Sequence, residues 1–293
     1  MAATYSGVAI NAAISVQDAI AYTNNEAEML ALFQDYSTAA SWVKPAVRKG
    51  ARKVAYRKTV FSSSEMGTYD KTKGYPDQGY TTTFVEMTVT QEKGDVLTID
   101  SIDDESSLGR GIVGLYNQYV TDVRVPTMDK YIYSQVVKTS GVVVKSEAAL
   151  TADTAEKAIL TALTALKNRR IKIEKANYEL RCTPEFVQLL TEKALNRGSI
   201  TIGGIAFSYS ADVKDVAHVR IIEVPSADLG TDVNFILAPT SAITVTFLLD
   251  ETVHHEKLPG HGTRKQTLDV GTVYDAWVEP GFEKMVYVHK VSA

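Results

Sequence analysis

Between Gly94 and Ser107 the chain reads GDVLTIDSIDDESS, with five carboxylates in fourteen residues and no cation among them. Such a run could hold a divalent cation, supply a general acid and base, or cap a helix. Counting Asp100 as position 1 of a calcium loop puts Ile102 where Asp or Asn is required and Glu105 where Gly is required, so that spacing fails. An acid/base pair among Asp100, Asp103 and Asp104 would need one carboxyl buried and raised in pKa. Helix capping with surface charge is the simpler reading. His254, His255 and His261 fall in TVHHEKLPGHG beside Glu251 and Glu256, but not at HExxH spacing. An exposed Gly/Pro loop is expected there, with a metal-dependent hydrolase as the alternative. His218 and His289 stand alone on strand patterns, expected to pack or to face solvent. Neither Gly203-Gly204 nor the glycines from Gly109 match GxxxxGK[ST] or GxGxxG, and no GxSxG occurs. No catalytic constellation and no cofactor are expected, and the chain reads as a non-enzyme.

The basic stretch KPAVRKGARKVAYRK carries Lys44, Arg48, Lys49, Arg52, Lys53, Arg57 and Lys58, with no acid between Asp35 and Glu65. Tyr56 and Phe61 interleave aromatics with the cations, so contact with nucleic-acid phosphates is conceivable. Strand alternation and the formal charge of −4 favour instead a cationic arm that meets acids on another subunit, such as the Asp95–Glu105 region.

The positioning elements follow from periodicity. Glu26 to Trp42 spaces Met29, Leu32, Phe33, Tyr36 and Ala40 as one amphipathic helix. Val54, Tyr56 and Val60, then Val85, Met87 and Val89, alternate as two strands. The polar segment between them, SSSEMGTYDKTKGYPDQGY, is too long for an ordinary connection and reads as the end of a hairpin arm that leaves the body. Val96, Ile99 and Ile102 mark a strand edge, and from Leu108 the intervals become helical. Asp103 and Asp104 then sit at the N-cap, with Glu105 in the first turn. Gly109, Gly111 and Gly114 weaken that helix, which predicts a close backbone. Pro126 is expected to end it and start another at PTMDKYIYSQVV. Asp153-Thr154-Ala155-Glu156 reads as a capping-box variant, and Thr183-Pro184 opens a further helix closed by Gly198. The remainder is strand-rich, and the mixed order gives an α+β class.

The 293 residues, 45% apolar and 23% charged, have an ordinary globular composition. The one cysteine, Cys182, excludes an internal disulfide and a multi-cysteine zinc site, and is expected to be buried. The N-terminus lacks a basic start, and its apolar residues are interrupted by Asn11, Ser15, Gln17 and Asp18, so no signal peptide is expected. No run of about 18 apolar residues predicts a membrane span.

The order of these segments resembles the major capsid proteins of tailed bacteriophages. The carriers are the basic strand, TYDKTKGYPDQGYTTTFVEMTVTQEKGDVLTID, and DDESSLGRGIVGLYNQYVTDVRVPTMDKYIYSQVV. A V-P-x-x-D-x-Y element of that family is matched by Val125, Pro126, Asp129 and Tyr131, while Thr127 departs from the more usual Glu. Downstream, YELRCTPEFVQLLTEKALNR and RIIEVPSADLGTDVNFILAPTSAITV are similar to segments of the family's axial domain.

The resemblance implies the coat-protein fold named after phage Hong Kong ninety-seven. Its parts would be an N-terminal arm and helix at 1–43, an extended hairpin loop at 44–100, a peripheral domain with a long spine helix at 101–139 and 241–293, and an axial domain at 140–240. It implies self-assembly as pentamers and hexamers into an icosahedral shell around double-stranded DNA, in the virion, after assembly in the host cytoplasm. An encapsulin-like nanocompartment is the alternative on the same fold. About 43 residues precede the basic strand, too few for a fused scaffold, so a separate scaffolding protein is expected, with portal and head-completion proteins, non-specific DNA contact and no membrane. Arg48, Lys49, Arg52, Lys53, Arg57, Tyr69, Tyr75, Asp100, Asp103, Asp104 and Glu105 are the expected inter-subunit contacts.

Overall fold

The computed structural model describes residues 33, 35–44, 52–63, 65–100, 111–173, 177–197, 200–202, 205–207, 215–216, 219–230, 232–255 and 265–292. After helical residues Phe33, Asp35 and Tyr36 and a 3-10 turn at Ala40–Trp42 come β1 (Lys53–Phe61), β2 (Tyr80–Thr88) and β3 (Gln91–Asp100). Helix α1 (Gly111–Tyr119) passes through a π turn (Val120–Arg124) into α2 (Val125–Lys138). Next are β4 (Val143–Glu147), α3 (Ala152–Asn168), β5 (Tyr178–Cys182), α4 (Pro184–Arg197), β6 (Ile200–Ile202), β7 (Ile205–Phe207), β8 (Asp215–Val216), β9 (Val219–Glu223) and α5 (Ser226–Leu229). The chain closes with β10 (Val233–Pro239), β11 (Ile243–His255), β12 (Lys265–Val278) and β13 (Tyr287–Val291).

A six-stranded mixed sheet, ordered β4-β13-β10-β5-β9-β8, is the centre. Helices α3 and α4 cover one face, where Ile159, Leu163, Leu166, Phe186 and Leu190 pack on Leu180, Cys182, Phe235 and Leu237. The α1–α2 helix belongs to a second core, in which Met128, Ile132 and Val136 share a cluster with Ile236, Ala238 and Val288. Strand β10 therefore feeds alternate side chains to two cores, and this burial on both sides accounts for the unbroken apolar run FILAP after Asn234. The second core continues onto the three-stranded antiparallel sheet β11-β12-β3 through Leu97, Ile99, Leu268, Val270 and Tyr274. Residues 287–291, at the C-terminal end, lie in the central sheet, while Gln91–Asp100 joins the three-stranded one.

Several local expectations change. Pro126 does not end the helix. A proline lacks the N–H and its ring clashes with the carbonyl four residues back, here Asp122; the wider π turn that holds Asp122 moves that carbonyl aside, and the helix continues. The first helix does not run unbroken to Trp42, since turns at Ser37–Ala39 intervene; residues before 33 lie outside the described ones. A Cβ on Gly114 would meet nothing within 4 Å, so among the described residues no backbone passes close there; a close approach occurs at Gly94, where a Cβ would lie 2.6 Å from the Val270 carbonyl oxygen. Helix α3 is capped by Thr151, whose N–H donates to Thr154 Oγ1 at 2.8 Å, rather than by Asp153 with Glu156. Thr183 does cap α4, its Oγ1 accepting the Phe186 N–H at 3.3 Å. His254 and His255 end a strand rather than occupy a loop. Gly109 and Gly198 fall outside the described residues.

Candidate functional site

Strands β1 and β2 form a two-stranded antiparallel arm, in register from Lys53 opposite Thr88 to Phe61 opposite Tyr80. Alternation gives it two faces. On one, Val54, Tyr56 and Met87 at the root pack against Val89, Val273 and Trp277. Trp277 Nε1 donates to Tyr56 Oη at 3.1 Å, and Lys58 lies 3.7 Å from Glu283. The other face packs on nothing described and carries Phe61, Tyr80 and Phe84 at 62%, 63% and 71% exposure, with Arg57 directly opposite Phe84. The Phe61 and Tyr80 rings meet edge-on at 6.5 Å.

The end of the arm is ordered by its own polar chemistry. Asp70 and Gly74 exchange backbone hydrogen bonds, Gly74 taking φ +82°. The Asp70 carboxylate accepts the N–H groups of Thr72 and Lys73 at 2.7 and 3.1 Å, and these bonds lower its pKa. The Tyr69 and Tyr75 rings lie 4.9 Å apart. A Cβ on Gly67 would strike Pro76, so only glycine fits there. Tyr75 and Met66, 83% and 98% exposed, border an open concavity of about 370 Å³. Among the described residues nothing covers this aromatic face.

The root is held from below by Asp275. Its Oδ2 accepts the Thr90 N–H and Oγ1 at 2.8 and 2.9 Å, and its Oδ1 accepts the Tyr131 hydroxyl at 2.8 Å. One carboxylate thus joins the turn after β2, strand β12 and helix α2. Burial and this carboxylate push the Tyr131 hydroxyl up to about 12.

A second polar cluster locks the N-terminal segment to the helix and the central sheet. Asp129 accepts Ser37 Oγ at 2.5 Å, Thr38 N at 2.9 Å and Thr38 Oγ1 at 2.8 Å. Burial raises its pKa against the pull of those bonds. Arg181, fully buried, lies 3.4 Å over the Trp42 ring and donates from Nη2 to Glu179 at 2.8 Å and Ser41 at 2.6 Å. Burial disfavours its charge and pushes the Cys182 thiol up, leaving that thiol an inert core group.

Of the expected contact residues, Arg52 pairs with Glu92 at 3.1 Å and Lys53 with Glu86 at 3.0 Å, within the same chain and in exposed positions where such pairs contribute little. Arg57, Tyr69 and Tyr75 face solvent on the arm. Asp100 ends β3 opposite Lys265. Asp95, from the same acidic run, accepts the Tyr119 hydroxyl at 2.7 Å and ties β3 to α1. Arg48, Lys49, Asp103, Asp104 and Glu105 lie outside the described residues, as do the capping of α1 and His218 and His261. His255 Nε2 is 3.2 Å from Asp269, both half exposed; among the described residues no group of three metal-ligating side chains comes together. His289 is buried, stacked on Phe235, between Asn234 and Glu147. Among the described residues no helix is long and apolar enough to cross a membrane.

The linking residues Asp129, Arg181 and Asp275 were not singled out by sequence reasoning as positioning groups. For Arg181 and Asp275 the available signal was charge set among apolar strand residues, Glu179 and Arg181 in YELRC and Asp275 in VYDAWV, where an unpaired ion would be prohibitive.

No known protein-family profile matches the chain, and no curated protein matches its sequence. Solved structures do. The capsid of cyanophage P-SCSP1u aligns over 86% of both chains at TM-score 0.63 and 11% identity. The mature capsid of bacteriophage PhiM1 aligns over 87% of both at TM-score 0.63 and 12% identity. A virus-like particle from Pyrococcus furiosus covers 89% of this chain and 96% of its own at TM-score 0.53 and 11% identity. By these alignments over most of its length, the chain has the capsid-protein fold of tailed bacteriophages, the type named after phage Hong Kong ninety-seven.

Proposed function

We propose that this chain is the major capsid protein of a tailed bacteriophage, a structural protein that assembles into an icosahedral shell around the double-stranded DNA genome. The observation that carries the reading is the β1–β2 arm, anchored by Trp277 and Asp275 while Phe61, Tyr80 and Phe84 remain exposed on a face with no partner among the described residues. A two-stranded ribbon is marginal by itself, so this face gains its stability by lying on a neighbouring copy. Contacts of that kind are heterologous, and they close rings where the rotation allows. Many modest contacts around one subunit then act together through effective concentration.

In this reading the central sheet with α3 and α4 is the axial domain, mainly 140–240 with 287–291 added, and builds pentamers and hexamers. The three-stranded sheet with α1–α2 is the peripheral domain, and β3 belongs with it although it follows the arm. Arg57, Tyr69 and Tyr75 are proposed contacts on the arm, and Asp100 one on its return strand. A separate scaffolding protein, portal and head-completion proteins are the expected partners, DNA is touched non-specifically, and assembly takes place in the host cytoplasm.

Deleting Ser62–Tyr80 removes the end of the arm and leaves the three buried clusters intact. The expected outcome is a folded subunit, by circular dichroism and cooperative melting, that no longer builds stable shells. Normal particles from that deletion would contradict the role given to the arm. The likeness to the virus-like particle of Pyrococcus furiosus supports a second reading, a nanocompartment that encloses protein cargo. The contents of purified particles, DNA or protein, separate the two.

A further inference from the structure

Of the described cations in the basic stretch that begins at Lys44, four are paired within the chain: Lys44 with Glu279, Arg52 with Glu92, Lys53 with Glu86 and Lys58 with Glu283. A second basic run keeps its charge free. From Lys167 to Lys172 the chain reads KNRRIK, four cations in six residues of a protein whose formal charge is −4. Lys167, Arg169, Arg170 and Lys172 are all exposed, and none has an ion pair or a side-chain hydrogen bond among the described residues.

Local geometry holds these cations outward. Lys167 lies in the last turn of α3, where the helix dipole favours a positive charge. That effect fades beyond the last turn, so it does not account for Arg170 and Lys172. The helix end is closed by backbone groups: the Arg170 N–H donates to the Lys167 carbonyl at 2.8 Å and the Ile171 N–H to that of Leu166 at 3.3 Å. These two carbonyls therefore need no side-chain donor. In such a closure the residue just past the cap takes a positive φ and is usually glycine. Here it is Arg170, at φ +63°. Ile171 packs against the core beneath α3 and Ile173 is buried, which pins the segment and leaves Arg170 and Lys172 exposed on either side of Ile171.

The composition of the patch selects its partner. Protein interfaces are depleted in lysine and centre on apolar or aromatic anchors, whereas the apolar residues of this segment, Ile171 and Ile173, are engaged by the core. Single-stranded nucleic acid is held by aromatic stacking, and the run carries no aromatic residue. Lysine and arginine without such companions fit the phosphates of a duplex backbone, which a guanidinium can grip through two N–H groups. We propose that Lys167, Arg169, Arg170 and Lys172, at the C-terminal end of α3, bind the phosphate backbone of double-stranded DNA without regard to sequence. The unfavourable backbone at Arg170 then serves to keep a cation in the middle of the patch. The affinity belongs to the subunit, while its use on packaged DNA rests on the capsid reading and places this end of α3 on the lumenal side of the shell.

The test is fluorescence anisotropy of unassembled full-length subunits with a short labelled duplex over a range of sodium chloride concentrations. At about −0.9 for each neutralised phosphate, log affinity against log salt should slope at about −3 to −4 in wild type. Joint Lys167→Gln, Arg169→Gln, Arg170→Gln and Lys172→Gln substitution should weaken binding at least about tenfold at low salt and bring the slope close to zero. Arg170→Gly, which suits the positive φ, should melt no lower than wild type and still lose about one unit of slope. A charge-matched control at four exposed lysines elsewhere, Lys71→Gln, Lys73→Gln, Lys130→Gln and Lys284→Gln, should bind as wild type does. Equal losses in the two fourfold variants would show only a response to overall charge. Undiminished binding in the patch variant would put the contact on another surface, and tighter binding of polyglutamate than of the duplex at equal salt would assign the patch to an acidic protein. Each of these results overturns the proposal. Electron microscopy of the same preparations keeps it apart from the capsid reading: shells built by a wild-type protein that does not bind the duplex would overturn this inference and leave that reading standing.

Discussion

Asp129 accepts three hydrogen bonds in a place where its charge is poorly solvated, so its neutral form is favoured while its acceptor role remains. Asn retains an acceptor there and Ala does not. Asp129→Ala should lower the unfolding free energy of the unassembled subunit by about 2–4 kcal/mol in urea titrations, and Asp129→Asn by less than about 1 kcal/mol. The pKa of Asp129 is raised in the fold, so its stability contribution is complete below the usual carboxyl range and is lost as pH rises through the raised value. Glu147 behaves oppositely. Bonds from Lys145 and His289 lower its pKa from the ordinary 4.5, so its contribution is present above that value and lost as pH falls through the lowered one. Glu147→Gln should therefore flatten the acid limb of the stability profile, and Asp129→Asn should gain on wild type as pH rises. Profiles in which the two variants run parallel to wild type would refute both assignments.

At the scale of elements, the arm depends on its root. Tyr56→Phe removes the acceptor of the Trp277 indole N–H and should cost about 1 kcal/mol. Tyr56→Ala also empties the small cluster around Val89 and Val273. It should leave the central sheet folded, yet increase proteolysis of the arm near Lys53 and Arg57 and depress assembly. The hairpin was legible in the sequence because Val54, Tyr56 and Val60 mirror Val85, Met87 and Val89 across a polar segment too long for an ordinary turn. The unbroken helix through Pro126 was not, since a π turn leaves no compositional mark and proline is read as a break. Nor was the Thr151 cap: Asp153 and Glu156 also offer capping residues, at the same three-residue spacing as Thr151 and Thr154. The buried charges escaped for a related reason. Arg181, Glu179 and Asp129 look like surface residues until the 37–42 segment folds over them and supplies Ser37, Thr38, Ser41 and Trp42.

The described residues join a well-packed body to an arm that this body anchors at its root and leaves exposed on its aromatic face. Cations on the arm are partly paired with acids of the same chain, Arg52 with Glu92 and Lys53 with Glu86, and the aromatic face with Arg57 is unshared among the described residues. Specificity in the assembled state would come from that face, and the salt dependence of assembly should accordingly be modest for Arg52→Gln and Lys53→Gln. The measurement that tests the central claim most directly is electron microscopy of the purified protein, produced alone and together with a scaffolding protein from the same genome. Closed shells, rings or tubes built of pentamers and hexamers are the result expected. A strictly monomeric or dimeric species under both conditions would contradict the assignment of this chain as a shell protein.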